Sequence, residues 1–327
     1  MWIEASAPSN IALIKYMGKV DASVNKPTNS SLSYSLQKLR TFVRLQQDPH
    51  LTHDAWQPYE RSDLRTIHLS DRGKEKFLKH FLELKKEFKV SGFFRLESAN
   101  NFPSDCGLAS SASSFAALTL AAHEWMLKNS AGQPIPYRAK ELAKISQRGS
   151  GSSCRSFFEN WSLWHQSGSA EGIEFPYQKL KHQVILCDES IKQVSSSEAH
   201  QRVLTSDLFK GRAERAEDRL QKLVQALREK NWAQAFHISW NEFWDMHLLF
   251  HTSYPSFMYM SGQAMEALKW LNQFWIEKKD GPIVTMDAGS NIHLLYREDQ
   301  HDIYQFVFDS LKNHFSFWTD EGYVGKN

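Results

Sequence analysis

Apolar and polar positions follow two periods along this chain: short alternating runs in the first hundred residues, and helical stripes after residue 207. Residues 2–8 predict a strand ending at Pro8, and 41–45 alternate as a second strand should. The hydroxyl-rich stretch 25–35 predicts a polar loop, and 48–64 an exposed, charged hairpin or loop. Residues 71–87 repeat at helical spacing, with Phe77, Phe81, Leu82 and Leu84 on the apolar side. Residues 93–98 predict a strand that delivers the chain to a run of small residues turning at Gly107. That run feeds a helix from Ser110 to about residue 127, with Phe115, Leu118, Ala122 and Trp125 on one stripe. A helix over 137–147 stops at Gly149, and 184–188 read as a buried strand. Long helices follow at 208–230, 232–249 and 261–275. Two short β-like runs then surround Asp287-Ala288-Gly289-Ser290-Asn291, and a helix over 301–314 closes the pattern. Periodicity alone predicts a mixed α and β chain with a helix-rich second half and a boundary near residue 190.

Composition narrows the class. At 327 residues the chain is long for one core, so two domains, 1–190 and 191–327, or one bipartite fold are expected. With 41% hydrophobic and 23% charged residues it is globular, and a formal charge of +2 gives no reason to expect nucleic acid or a membrane surface. No apolar run of membrane-spanning length occurs, and the N-terminus lacks the basic-then-apolar order of a signal peptide. Three cysteines, Cys106, Cys154 and Cys187, cannot frame a disulfide scaffold and point to a reducing, cytoplasmic setting.

The chemistry concentrates in loops. The stretch 101–115 brings small residues to a helix N-terminus, where unpaired N–H groups and the positive dipole end suit an anion; a serine-capped helix would use only one of its serines. Lys15 and Lys19 flank Tyr16 in an apolar segment, where a lysine either snorkels to solvent or meets an anion. Arg155 closes the loop Gly149-Ser150-Gly151-Ser152-Ser153-Cys154, a placement suited to two-pronged grip of a carboxylate or phosphate. Ser195, Ser196 and Ser197 form a further cluster. Asp287 stands beside a glycine turn, where an Asx-turn competes with any chemical role. His247 and His251 are four apart but lack a third ligand at supporting spacing, so buried histidines are the better reading than a metal site.

Read together, these loops resemble the mevalonate diphosphate decarboxylase family, within the small-molecule kinase superfamily of galactokinase, homoserine kinase and mevalonate kinase. Ala7-Pro8-Ser9-Asn10-Ile11-Ala12-Leu13-Ile14-Lys15-Tyr16-Met17-Gly18-Lys19 is similar to its Ala-Pro-x-Asn-Ile-Ala-x-x-Lys-Tyr-Trp-Gly-Lys block. Pro27 to Ser33, Asn100 to Ala112, Gly149 to Ser156 and Met286 to Asn291 resemble four more of its motifs, in the family's order. The resemblance implies an α+β, two-domain, GHMP-type fold with the site in the interdomain cleft. It implies ATP and Mg2+ as cofactors, mevalonate 5-diphosphate as substrate, and a homodimer as in many relatives. By the same resemblance, Asp287, Lys15, Arg155 and Asn10 are catalytic, and Asn100, Pro103, Gly107, Leu108, Ala109, Ser110 and Ser111 hold nucleotide. Tyr16, Lys19, Ser150, Gly151, Ser152, Arg155 and Ser196 hold substrate, with Ser111 and Ser31 on the metal side. A mevalonate 5-phosphate decarboxylase or mevalonate 3-kinase on the same fold is the nearest rival, and a silent nucleotide-binding relative a remoter one. Departures are Met17 for the family's Trp, Ser290 for its Pro, and Ser195-Ser196-Ser197-Glu198-Ala199-His200 for its Ser-Ser-x-x-Gly-Met. Related bacterial enzymes can carry arginine where Ser197 stands, so one diphosphate contact is either missing or supplied elsewhere.

Overall fold

A computed structural model describes residues 1–103, 110–129, 136–188 and 193–326. Its first sheet is organised on two long strands, β1 (Ile3–Ala12) and β4 (Ser31–Gln47), paired antiparallel, with the ribbon β2 (Lys19–Asp21) and β3 (Lys26–Pro27) between them in sequence. β1 does not stop at Pro8. The register shifts there, from Pro8 opposite Arg40 to Ser9 opposite Leu36, and the irregularity absorbs the N–H that proline lacks. β4 also starts ten residues before the expected 41. Its first six residues are buried, so the hydroxyl-rich segment forms covered sheet instead of loop and shows no polar face.

Five more strands complete this sheet among the described residues. The segment expected as an exposed, charged hairpin or loop contributes one strand, β5 (Ala55–Pro58), parallel to β7 (Phe94–Asn100), and β6 (Arg65–Thr66) just beyond it pairs antiparallel with β7. β8 (Trp161–Trp164) pairs the first residues of β4, and β9 (Ala170–Gly172) pairs β8. Two helices cover the sheet. α1 (Asp71–Glu87) opens where the Ser70 hydroxyl accepts from the Gly73 N–H, and buries Phe77, Phe81 and Leu84. Leu82, expected with them, is 46% exposed, because it falls a quarter-turn off that stripe. α2 (Ser110–Asn129) buries Phe115, Leu118 and Ala122, while Trp125 is only partly covered.

α3 (Ala139–Gln147) is followed by a 3-10 stretch, Gly151–Phe157, which carries Arg155. β10 (Leu180–Leu186), although it precedes residue 190, belongs to the second sheet, between β12 (Ile292–Arg297) and β13 (Ser316–Thr319). β11 (Ile283–Met286) and β14 (Gly322–Val324) form its edges, and every pairing is antiparallel. The helices of this half are α4 (Ser196–Arg202), α5 (Arg212–Arg228), α6 (Trp232–His251), α7 (Gly262–Lys278) and α8 (His301–Leu311). α5 starts later than 208 because Gly211, at φ +75°, turns the chain after one 3-10 turn at Asp207–Phe209. One hydrophobic cluster joins both halves: Leu13, Ile14, Leu32 and Trp161 pack with Val184, Phe243 and Leu294. The loop after β1 is thereby wedged against the second half.

Candidate active site

Lys15 lies in that loop, whose start is tied to the sheet by the Leu13 N–H donating to the Leu32 carbonyl at 2.8 Å. Lys15 does not snorkel: it is 1% exposed. Its main-chain N–H donates to Glu242 Oε1 on α6 at 2.9 Å, and its carbonyl accepts from Asn29 Nδ2 at 3.0 Å. Glu242 is in turn held by Arg212 and Arg219 from α5; Arg212 and Glu242 are fully buried and Arg219 is partly exposed. With the backbone fixed, the Lys15 ammonium reaches Asp287 Oδ1 at 2.7 Å.

Asp287 follows β11. Its carboxylate engages Lys15 through Oδ1. The turn is made by its main-chain carbonyl, which accepts from the Gly289 N–H at 2.8 Å and from His247 Nε2 at 3.1 Å. Burial would push the Asp287 carboxyl up, but Lys15, His293 and Arg155 outweigh it and hold it below the ordinary carboxylate value. Burial likewise lowers Lys15, and the charges of Asp287 and Glu242 oppose that shift. His247 is buried and neutral, its pKa depressed to about 3 chiefly by burial, and serves as a donor to main chain, not as a metal ligand. Among the described residues no group of three or more metal-ligating side chains occurs.

Arg155 is 4% exposed. Its Nε donates to Asn10 Oδ1 at 3.0 Å and its Nη1 to Ser31 Oγ at 2.7 Å, while Nη2 makes no hydrogen bond among the described residues. Asn10 Nδ2 donates to Ser156 Oγ at 2.8 Å, which fixes the amide so that its oxygen meets the guanidinium. Ser31, expected on the metal side, is therefore committed to a cation.

One cleft is lined by Lys15, Tyr16, Lys19, Ser111, Ser150, Gly151, Ser152, Arg155, Ser196 and Asp287, which were expected together, and by Lys76 and His200, which were not. The Tyr16 hydroxyl is buried and has no hydrogen-bond partner among the described residues. A side chain at Gly151 would put its Cβ 2.9 Å from the Tyr16 ring, so glycine is what lets the loop approach. Lys19 Nζ donates to Asn25 Oδ1 at 2.7 Å, and burial together with Lys76 lowers its pKa to about 8. On the nucleotide side, Asn100 is buried and accepts from Thr41 Oγ1 at 2.7 Å, Pro103 is partly buried, and Ser110 begins α2. Gly107, Leu108 and Ala109 lie outside the described residues. Lys76 and Glu242 escape sequence reasoning because each occupies a charged position on a helix face that looks solvated. His200 is visible only as a departure from a motif.

Residues 7–173 match the family described as diphosphomevalonate decarboxylase-like N-terminal domain, and 183–324 match the mevalonate 5-diphosphate decarboxylase C-terminal domain. Diphosphomevalonate decarboxylase of Saccharomyces cerevisiae is 30% identical over 335 residues, covering 93% of this chain and 80% of its own length. The crystal structure of a mevalonate diphosphate decarboxylase from Legionella pneumophila is 43% identical with a TM-score of 0.89, covering 97% of this chain and 100% of that one. A protein called MDDEF, solved in complex with MVAPP, AMPPCP and magnesium, is 28% identical with a TM-score of 0.83, covering 96% of this chain and 94% of its own.

Proposed function

The chain belongs to the diphosphomevalonate decarboxylase family, and we propose that it converts mevalonate 5-diphosphate and ATP to isopentenyl diphosphate, ADP, phosphate and CO2 by way of phosphorylation at the 3-hydroxyl. The observation that carries the reading is the contact at 2.7 Å between buried Lys15 and part-exposed Asp287, in a cleft that Arg155 also lines.

Asp287 is ionised, and only Oδ1 is engaged by Lys15. Its other oxygen orients the 3-hydroxyl and takes the proton as the oxygen is phosphorylated. Lys15 spreads the charge that develops on that oxygen, in a site where burial strengthens the effect. Arg155 holds the substrate carboxylate. Two of its donors are already used on Asn10 and Ser31, so its remaining grip orients the carboxylate antiperiplanar to the 3-phosphate without over-stabilising it. The C–C bonding pair then forms the double bond as phosphate leaves and CO2 is released.

The residues present suit MgATP: Lys15, Lys19, Lys76 and Arg155 outnumber Asp287 around the cleft, and Ser111 in the first turn of α2 faces into it. MgATP would supply the phosphoryl group, and Ser110 and Ser111 at the start of α2 would hold it, with Ser111 as the metal-side hydroxyl. The unpartnered Tyr16 hydroxyl, Lys19, Ser150, Ser152 and Ser196 hold the substrate diphosphate, with Gly151 giving close approach. Cys154 and Cys187 are buried free thiols, which supports a reducing, cytoplasmic setting. No helix among the described residues is long and apolar enough to cross a membrane.

The test follows ADP and CO2 together, with MgATP and each of mevalonate 5-diphosphate, mevalonate 5-phosphate and mevalonate. Equal release from the diphosphate alone is expected. ADP without CO2, or turnover only with a less phosphorylated substrate, would move the chain to a kinase or monophosphate reading.

A further inference from the structure

We propose that His200 is a substrate-binding residue, a neutral N–H donor to the terminal phosphate of the diphosphate. The proposal rests on the substrate reading above and adds a residue to it. His200 lies in α4, and its Nδ1 meets the Gly18 main-chain N–H at 3.0 Å. An amide N–H only donates, so Nδ1 is bare and the ring hydrogen sits on Nε2. The ring is also fixed in orientation by packing on Tyr16, with centroids 4.4 Å apart. Nε2 makes no hydrogen bond among the described residues, and the ring borders open space on two sides.

Those spaces locate the ligand. The cleft with Asp287 and Arg155 opens into a second cavity lined by Lys79, Arg148 and Gln201, and the residues bordering both are Lys19, Asn25, Lys76, Ser197 and His200. A substrate with its hydroxyl at Asp287 and its carboxylate at Arg155 sends its remaining arm, the 5-diphosphate, towards this junction. Lys19 and Lys76 supply cations there. Burial and those two lysines keep His200 uncharged, its pKa depressed to about 3, so it adds a directed donor without a third cation. Ser197 is too short to fill the same space. His200 thus supplies the contact that the Ser195–His200 departure would otherwise leave missing.

Binding of mevalonate 5-diphosphate and mevalonate 5-phosphate to the full chain, measured by calorimetry, tests this. His200→Asn leaves an amide oxygen near the place of Nδ1 for the Gly18 N–H but removes the Nε2–H. It should weaken the diphosphate about tenfold and the monophosphate less than twofold. His200→Gln places an amide N–H near Nε2 and should keep the diphosphate within threefold of wild type. If the asparagine variant does not fold, His200→Phe keeps the ring on Tyr16 without either nitrogen, and the same selective loss is expected. Unchanged diphosphate affinity in a folded variant, or equal weakening of both ligands, would overturn the proposal. Failure of the unaltered protein to bind the diphosphate would instead overturn the substrate reading.

Discussion

Arg155→Lys conserves charge and removes only the planar fork, so it isolates what the guanidinium geometry does. The native side chain makes two buried protein contacts, at 3.0 Å to Asn10 and 2.7 Å to Ser31. One ammonium on a single stem reproduces at most one of them while still facing substrate. A buried acceptor left unpaired costs about 1–3 kcal/mol, which appears as lost stability. At the substrate, one arm of the carboxylate grip goes; a hydrogen bond to a charged group contributes about 1.5–3 kcal/mol. If that arm acts in the decarboxylation transition state, kcat/KM for mevalonate 5-diphosphate falls roughly ten- to 150-fold, taking about 1.4 kcal/mol per factor of ten. The assay couples ADP release to CO2 release, with a thermal melt to confirm folding and the KM for ATP as control. A rate within threefold of wild type would show that Arg155 does not hold the carboxylate. A loss confined to the KM for ATP would place it on the nucleotide instead.

Three further outcomes are expected. Asp287→Ala should abolish turnover while nucleotide still raises the melting temperature, because a ligand at a hundred times its Kd stabilises by about 2.7 kcal/mol; loss of that shift would contradict the role given to Asp287. Gly151→Ala puts a methyl 2.9 Å from Tyr16 Cε1 and 3.1 Å from Trp164 Cη2, with Tyr16 hemmed in by Trp164 and His200. It should cost about 1–3 kcal/mol in a denaturant melt and raise the KM for substrate, and an unchanged KM would show the approach to be unimportant. Lys19 titrates near 8 in the free protein, and a bound diphosphate favours its charged form, so affinity is full below that pH and declines as pH rises through it. Calorimetry on either side of the break reads this. Lys76→Met should move the break upward by removing the neighbouring charge, and a flat profile would take Lys19 out of the site.

Much of this was legible in the chain, for reasons that differ by element. α1 was readable to its ends because a serine cap and a one-sided apolar stripe both mark it. β4 was underestimated because a strand covered on both faces has no alternation, and its serines imitate a loop. β13 and β14 follow the last helix in a short tail whose pairing depends on β10, more than a hundred residues earlier, and no local pattern announces them. In the site, Lys15, Arg155 and Asp287 stood out as charges in apolar or small-residue surroundings, where burial needs a reason. Glu242 did not, because a charge on a helix is unremarkable until tertiary packing covers it, and Lys76 did not, because it is an exposed helix position whose place beside the cleft only the tertiary structure sets. Which hydroxyl faces which partner was equally hidden: Ser31 could not be assigned to Arg155 from residues 124 positions apart.

The contact between Lys15 and Asp287 joins residues separated by 272 positions in sequence. During synthesis the lysine, the arginine loop and the serine-lined walls all emerge well before the carboxylate that completes them. A nascent chain halted before Asp287 carries most of the anion-attracting groups and no base. Chemical competence is thus among the last properties the polypeptide acquires, and it arrives only when the second sheet, built around β10 and closed by β11 to β14, docks against the first. Two separately expressed halves would each be inert. Any turnover on mixing them would count the fraction that had found one another.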